Sequence, residues 1–240
     1  MSTDISNIAV IGAGTMGAAI SQHFLMKGRR VVLLDLHQEG LDKGCATIER
    51  SLQEAVQRRI LSEQDNAELL ANLRCTIDYR DLSGCGLVVE AVFEDKAVKQ
   101  QVLSEVEANV SPDCIIGSNT SSIPITELAS VLEHPERFLG LHYFYHAAKN
   151  KLIEIIPGRD TAPQRVKQLV NFYYAVDKAP IVVADVDGFA VNRFFVPWLH
   201  EATRLREEGL GSIAFIANVA MAQFNVGMGP FALMNATGVP

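Results

Sequence analysis

Three clusters in this chain combine residue types and spacings that can do chemistry. GAGTMG, which is Gly12, Ala13, Gly14, Thr15, Met16 and Gly17, is a G-x-G-x-x-G with an acid, Asp35, further along. Ser118-Asn119-Thr120-Ser121-Ser122 gathers four small alcohols around an amide. GLHYFYHAAKNKLIEII, residues 140–156, carries His142, His146 and, inside an apolar run, Glu154. A carboxylate beside an imidazole orients the ring, fixes its tautomer and raises its pKa, which suits a general base that takes a hydroxyl proton as hydride leaves. Eleven residues separate His142 from Glu154. If 145–151 form the loop of an antiparallel pair, these two sit opposite each other on one face, and His146 loses that relation. On spacing alone, a structural histidine at a strand end and a solvent-facing glutamate are the commoner arrangement.

The elements around these clusters decide what they can be. Asn7 to Ile11 is a β-branched apolar run; residues 18–27 are helix-forming with Gly28 behind them; Arg30 to Leu34 is again strand-like. That is one βαβ unit, with the glycines at its first turn and Asp35 at the end of its second strand. In this setting Gly12 makes the tight turn, Gly14 lets backbone approach a pyrophosphate, and Gly17 lets helix pack on strand. The helix start at Thr15 and Met16 supplies N–H donors and the positive end of the helix dipole. Asp35 can accept from both ribose hydroxyls and repels a 2′-phosphate, so the expected cofactor is NAD. The competing reading is a glycine turn without a ligand. The serine-rich run lies past the strand Ile115 to Gly117, where a parallel sheet lines its crevice; it reads equally as the N-cap of a helix through Leu128.

Residues 39–73 carry long helical periodicity and 95–110 a further helix, and apolar runs at 87–92, 138–144, 152–156 and 181–183 read as strands. The expected fold class is α/β: a Rossmann-like, mainly parallel sheet with helices on both faces. From Gly188 no strand signal remains. A helix over 191–208, a second over 212–224 capped by Ser212, and a short third after the Gly227–Pro230 turn give a partial all-α domain. The domains are therefore 1–186, nucleotide-binding, and 187–240, helical.

With a net charge of −7, the chain lacks the clustered Lys and Arg that nucleic acid or an anionic membrane would require. Four cysteines, Cys45, Cys75, Cys85 and Cys114, show no CxxC spacing, which points to reduced thiols, no disulfide framework and no metal site. The opening MSTDISNIAVIG has no signal-peptide pattern, and no run is long enough to span a membrane. A cytoplasmic location is expected.

SNTSS, GLHYF, KLIEII and DGFAVNRFFVPWLHEATRLREEG, in that order downstream of GAGTMG, together resemble the L-3-hydroxyacyl-CoA dehydrogenase family, including its 3-hydroxybutyryl-CoA members. The resemblance runs from Ile8 to the last residue. It implies an NAD-dependent oxidoreductase of β-oxidation type that interconverts 3-hydroxyacyl-CoA and 3-oxoacyl-CoA, with His142 and Glu154 as the proton-transfer pair. It implies that Ser121 and Asn192 contact substrate and support the histidine. By the same resemblance Glu94 and Lys99, in FEDKAVK, and Asn119 beside them belong to the nicotinamide half of the cofactor site, and Ser51 and Arg58 contact the CoA portion.

Two departures qualify it. The family usually has Asn-Pro where this chain has Tyr145-His146, so His146 is a candidate substrate contact and the acyl or thiol-bearing group can differ. Substrates without CoA, of the carnitine, gulonate or carrier-protein kind, and a non-catalytic NAD-binding fragment are the alternatives. The family's helical domain, which forms most of a dimer interface, also continues past the GMGPF turn, whereas here MNATGVP follows. A homodimer is expected if these helices suffice, with exposed apolar surface around Phe194, Phe195, Trp198, Phe215 and Phe231.

Overall fold

The computed structural model describes residues 5–237. The chain divides between Asp187 and Gly188 into two compact units.

In the first unit, β1 (Asn7–Ile11) leads through the glycine turn into α1 (Thr15–Met26) and β2 (Arg30–Leu34). Then come α2 (Gln38–Gln57), α3 (Glu63–Ala71) and β3 (Leu73–Thr76), followed by β4 (Leu87–Glu90), α4 (Lys96–Asn109), β5 (Ile115–Ser118) and the short α5 (Ile125–Leu128). β6 (Phe138–Tyr143) and β7 (Leu152–Pro157) follow, then α6 (Pro163–Ala175) and β8 (Ala179–Val182). The eight strands form one sheet in the order β3-β2-β1-β4-β5-β6-β7-β8. Every neighbouring pair is parallel except β6 with β7. The central strands are buried on both faces, which is why they read as continuous apolar runs. Ile8, Val10 and Ile11 are completely buried, and each contributes roughly 1.5–3 kcal/mol relative to an exposed side chain. Successive strands run outward in one direction from β1 to β3, and the chain then returns to β4 on the other side of β1. This reversal opens a crevice at the carboxyl ends of β1 and β4.

The long helical periodicity over 39–73 is two helices rather than one. Arg59 takes a left-handed φ of 59°, and Ser62 restarts the chain with a reciprocal capping box to Asp65. β3, half-buried at the sheet edge, has too short an apolar pattern to stand out. α6 buries only Leu169, Phe172 and Tyr173 on one face. The expectation of reduced thiols is corrected at one pair: Cys45 on α2 and Cys75 on β3 form a disulfide. Packing of α2 beside the edge strand brings together two cysteines 30 residues apart. Cys85 and Cys114 are buried free thiols. No helix among the described residues is long and apolar enough to cross a membrane.

The second unit holds α7 (Asn192–Glu207), α8 (Ile213–Phe224) and α9 (Pro230–Thr237), packed on one another. Ser212 caps α8 by accepting from the Phe215 amide at 3.2 Å. Phe194 is 80% exposed and Phe195 and Phe215 are also exposed. Trp198 and Phe231 are half-buried instead, because the Trp198 ring packs against Phe195 and Phe224.

Candidate active site

Most predicted site residues of the first unit lie at or just past the carboxyl ends of β1, β2, β4, β5 and β6, with Ser51 on α2, Arg58 at its C-cap, Lys99 on α4 and Glu154 within β7. After β1, Gly12 turns the chain at a φ of +101°, a left-handed value that a side chain disfavours. A Cβ on Gly17 would lie 1.7 Å from the Gly12 carbonyl oxygen, so only glycine lets α1 start this close to the turn. No side chain caps α1, and beyond Gly14 there is nothing within 4 Å of where a Cβ would stand. Open space before an uncapped helix start fits a pyrophosphate. Thr15 and Met16 form the first helical turn. Asp35 holds the turn from the far side: its carboxylate accepts the Ala13 amide at 2.7 Å and the His37 amide at 3.1 Å. A carboxylate offers about four lone-pair positions, so Asp35 retains capacity for ribose hydroxyls.

Past β4, Glu94 organises the serine-rich run. Its Oε1 accepts the Thr120 hydroxyl at 2.6 Å, the Ser121 and Ser122 amides at 2.8 and 3.0 Å, and the Ser122 hydroxyl at 3.0 Å. Ser121 also donates its hydroxyl to Glu94, at 3.3 Å. Burial raises the Glu94 pKa, but the Thr120 bond, the Lys99 charge and the Ser121 and Ser122 bonds outweigh it and leave the carboxyl below its ordinary value. The run is therefore wound around a carboxylate, and the helix that follows it, α5, starts only at Ile125 without a serine cap.

Lys99 is 1% exposed. Its ammonium donates to Glu90 at 2.7 Å and to the Val92 carbonyl at 3.2 Å, and lies 3.3 Å from Glu94. Three acceptors match its three N–H bonds, and the ammonium sits beneath Glu94 and holds it. Glu90, which sequence reasoning misses, joins Ser118 of the serine-rich run beside Lys99. Glu90 is completely buried, accepts the Val92 amide at 2.7 Å, and is hydrogen-bonded by the Ser118 hydroxyl. The available signal is an acid closing an apolar strand, with a lysine nine residues on.

At the end of β6, His142 pairs in register with Glu154 of β7. His142 Nδ1 lies 2.7 Å from Glu154 Oε2. His142 is 6% exposed and Glu154 fully buried. The antiparallel pairing that their apposition requires is thus present. The Phe144 ring lies 4.5 Å from the imidazole. Asn119 joins β5 to this strand, its Oδ1 accepting the Tyr143 amide at 2.9 Å. His146 and Tyr145, joined by a cis peptide bond, line a groove of about 510 Å³ with Gly14, Thr15 and Ser51. Burial and the Lys149 charge lower the His146 pKa. Arg58 does not line that groove; it ends α2 with its guanidinium 4.0 Å from Glu54. Asn192 is the first residue of α7, in the second unit.

Known proteins share this arrangement of elements. Residues 7–186 match the family model described as 3-hydroxyacyl-CoA dehydrogenase, NAD binding domain, and residues 188–240 match the one described as its C-terminal domain. The fatty acid oxidation complex subunit alpha of Psychrobacter cryohalolentis is 36% identical over 236 residues, which is 98% of this chain and 32% of that protein. The chain thus spans about a third of that relative's length. Among solved structures, (S)-3-hydroxybutyryl-CoA dehydrogenase from Ralstonia eutropha superposes with a TM-score of 0.90 at 34% identity, covering 98% of this chain and 83% of that one. The 3-hydroxybutyryl-CoA dehydrogenase of Escherichia coli K12 gives 0.89 at 32% identity, covering 98% and 50%. With matches to both domain models along residues 7–240, the chain belongs to the 3-hydroxyacyl-CoA dehydrogenase family.

Proposed function

We propose that this chain is an NAD-dependent oxidoreductase that interconverts 3-hydroxyacyl-CoA and 3-oxoacyl-CoA. The observation that carries the reading is the 2.7 Å contact between His142 Nδ1 and Glu154 Oε2 on two registered strands. With Nδ1 committed to the carboxylate, Nε2 is the nitrogen that takes the proton of the substrate's 3-hydroxyl, and Glu154 stabilises the imidazolium that results. In the reverse direction the imidazolium returns that proton. NAD, when bound, supplies the hydride acceptor. Gly12, Gly14, Thr15, Met16 and Gly17 would hold its pyrophosphate and Asp35 its ribose, while Glu94 and Asn119 border the nicotinamide side. Ser121, fixed by Glu94, and Asn192 would orient the substrate so that the reacting atoms meet in near-attack geometry.

The division of labour in this reading assigns cofactor and proton transfer to residues 1–186, and substrate contact and dimerisation to 187–240. The exposed Phe194 and Phe215 support the second assignment. A second reading, a 3-hydroxy acid not carried by CoA, draws on Tyr145 and His146, which replace the family's Asn-Pro and line the groove beside Ser51.

The test is NAD reduction with 3-hydroxybutyryl-CoA and with free 3-hydroxy acids, using wild type, His142→Ala and His146→Ala. The expected result is thioester turnover that His142→Ala abolishes and His146→Ala retains with an altered KM. Full activity in the His142 variant would sink the mechanism, and turnover of free acids alone would select the second reading.

A further inference from the structure

We infer that Lys178 is a positioning residue for the substrate: its ammonium, buried behind the turn at residues 146–150, clamps that turn by its carbonyls and so fixes the groove wall made by Tyr145 and His146. The inference rests on the thioester reading above and deepens it, because it names what sets the position of the wall.

The polar bonds inside the turn are local. The His146 carbonyl accepts the Lys149 and Asn150 amides at 2.8 and 2.9 Å, and Asn150 Oδ1 accepts the Leu152 amide at 3.1 Å. These are bonds within the turn and to the strand that follows. Ala147 is also packed into the core, and the Lys151 carbonyl accepts the Ala179 amide at 2.8 Å; Lys178 is the side chain that ties the turn's own carbonyls to the body of the fold. It lies at the junction of α6 and β8, is 4% exposed, and donates from Nζ to the carbonyls of Ala147 and Asn150, the latter at 2.6 Å. Its own amide is fixed to the Tyr173 carbonyl at 2.9 Å, and its ammonium lies 5.5 Å from the centre of the Tyr143 ring, one residue past His142. The clamp therefore runs from α6 and β8 across β6 to the loop.

A surface lysine needs no such placement, and a buried one normally faces a carboxylate. Here the hydrogen-bond acceptors are carbonyls. Asp177 is adjacent, yet its carboxylate engages Lys27 of α1 at 3.3 Å and Lys151 at 2.8 Å. The other titratable groups facing this region are His23 of α1, His146 and Lys149 of the turn, the former with its pKa lowered in part by the Lys178 charge, and the bonded hydroxyls of Tyr143 and Tyr173. Burial first, and then the Lys27 charge, push the Lys178 pKa down to about 8 against the opposing pull of Asp177. Below that pH the ammonium makes two charge-assisted bonds to the turn; as the pH rises through it, an amine is left and the clamp weakens.

Two measurements test this. Hydrogen exchange of residues 144–151 in the full chain reads the clamp without turnover, and KM for 3-hydroxybutyryl-CoA between pH 7 and 9.5 reads its effect on substrate. In wild type, KM should climb above pH 8 and the loop's exchange protection, taken relative to the intrinsic base-catalysed rate at each pH, should fall. In Lys178→Met, KM should already be raised and protection lowered at pH 7, on the order of tenfold, with kcat nearly unchanged and neither changing further with alkaline pH. Lys178→Arg, charged throughout this range, should restore a low KM with a flat pH profile. Unchanged loop exchange in Lys178→Met, or an alkaline KM rise that persists there, overturns the inference. Should Lys178→Met not fold, the arginine variant and the wild-type pH series decide alone. If loop exchange follows Lys178 but no variant oxidises a thioester, the functional reading fails and the clamp stands.

Discussion

Glu154 faces His142 across the single antiparallel step of the sheet, with Oε2 2.7 Å from Nδ1. The contact is set by strand register and not by a loop. A one-residue slip would send the carboxylate to the opposite face, so the pair holds as firmly as the sheet itself.

That placement makes Glu154→Gln the informative change at this site. The amide oxygen can still accept from Nδ1 and keep the tautomer, but the charge that stabilises an imidazolium is gone. We expect kcat to fall roughly 10²- to 10⁴-fold with NADH affinity unchanged, measured by steady-state kinetics beside a fluorescence titration.

Asp35 has two tasks, and one variant separates them. Asp35→Ser removes both the carboxylate that holds the Ala13 amide and the charge that discriminates against a 2′-phosphate. Loosening of the turn weakens NADH and NADPH alike, whereas loss of charge favours NADPH. The expected outcome is an NADH Kd raised about tenfold or more, with a smaller NADH-to-NADPH preference. Equal weakening of both cofactors would remove Asp35 from the discrimination.

Glu94 predicts an acid limit. Its folded pKa lies below the ordinary carboxylate value, through bonds from Thr120, Ser121 and Ser122 and the Lys99 charge that overcome burial. A depressed pKa contributes stability that is present above the unfolded value and is lost as pH falls through the folded one. Denaturant unfolding of wild type and Glu94→Gln should differ by a constant amount above about pH 5 and draw together as the pH falls through the depressed folded value.

The Cys45–Cys75 bond closes a loop of 30 residues. Reduction should lower unfolding stability by about 3.5 kcal/mol, read as a shift of the urea midpoint. Cys45→Ser should start at the lower midpoint and ignore the reductant.

How much of this can be read from the chain alone depends on how local each feature is. The turn at Gly12 to Gly17 and the end of β2 at Asp35 are written in adjacent residues, and the eleven-residue spacing of His142 and Glu154 anticipates a contact that requires only one hairpin-like pair. Glu90 is different. An acid closing LVVE looks like the solvent-facing end of a strand, and its burial follows only when α4 brings Lys99 over it and β5 brings Ser118 beside it. The Cys45–Cys75 bond likewise needs α2 laid along an edge strand too short to be seen in the pattern. The break between α2 and α3 is marked only by Ser62 followed by Asp65, a capping signal submerged in a longer helical rhythm.

The reversal of β7 against β6 has a consequence for how such a protein can be altered. Chemistry is anchored in two strands, whereas Tyr145 and His146 sit on the turn between them, outside the ladder. In the proposed reading residues 144–151 are therefore an exchangeable cassette: swapping them among relatives should alter which carrier is admitted while His142 and Glu154 keep their alignment.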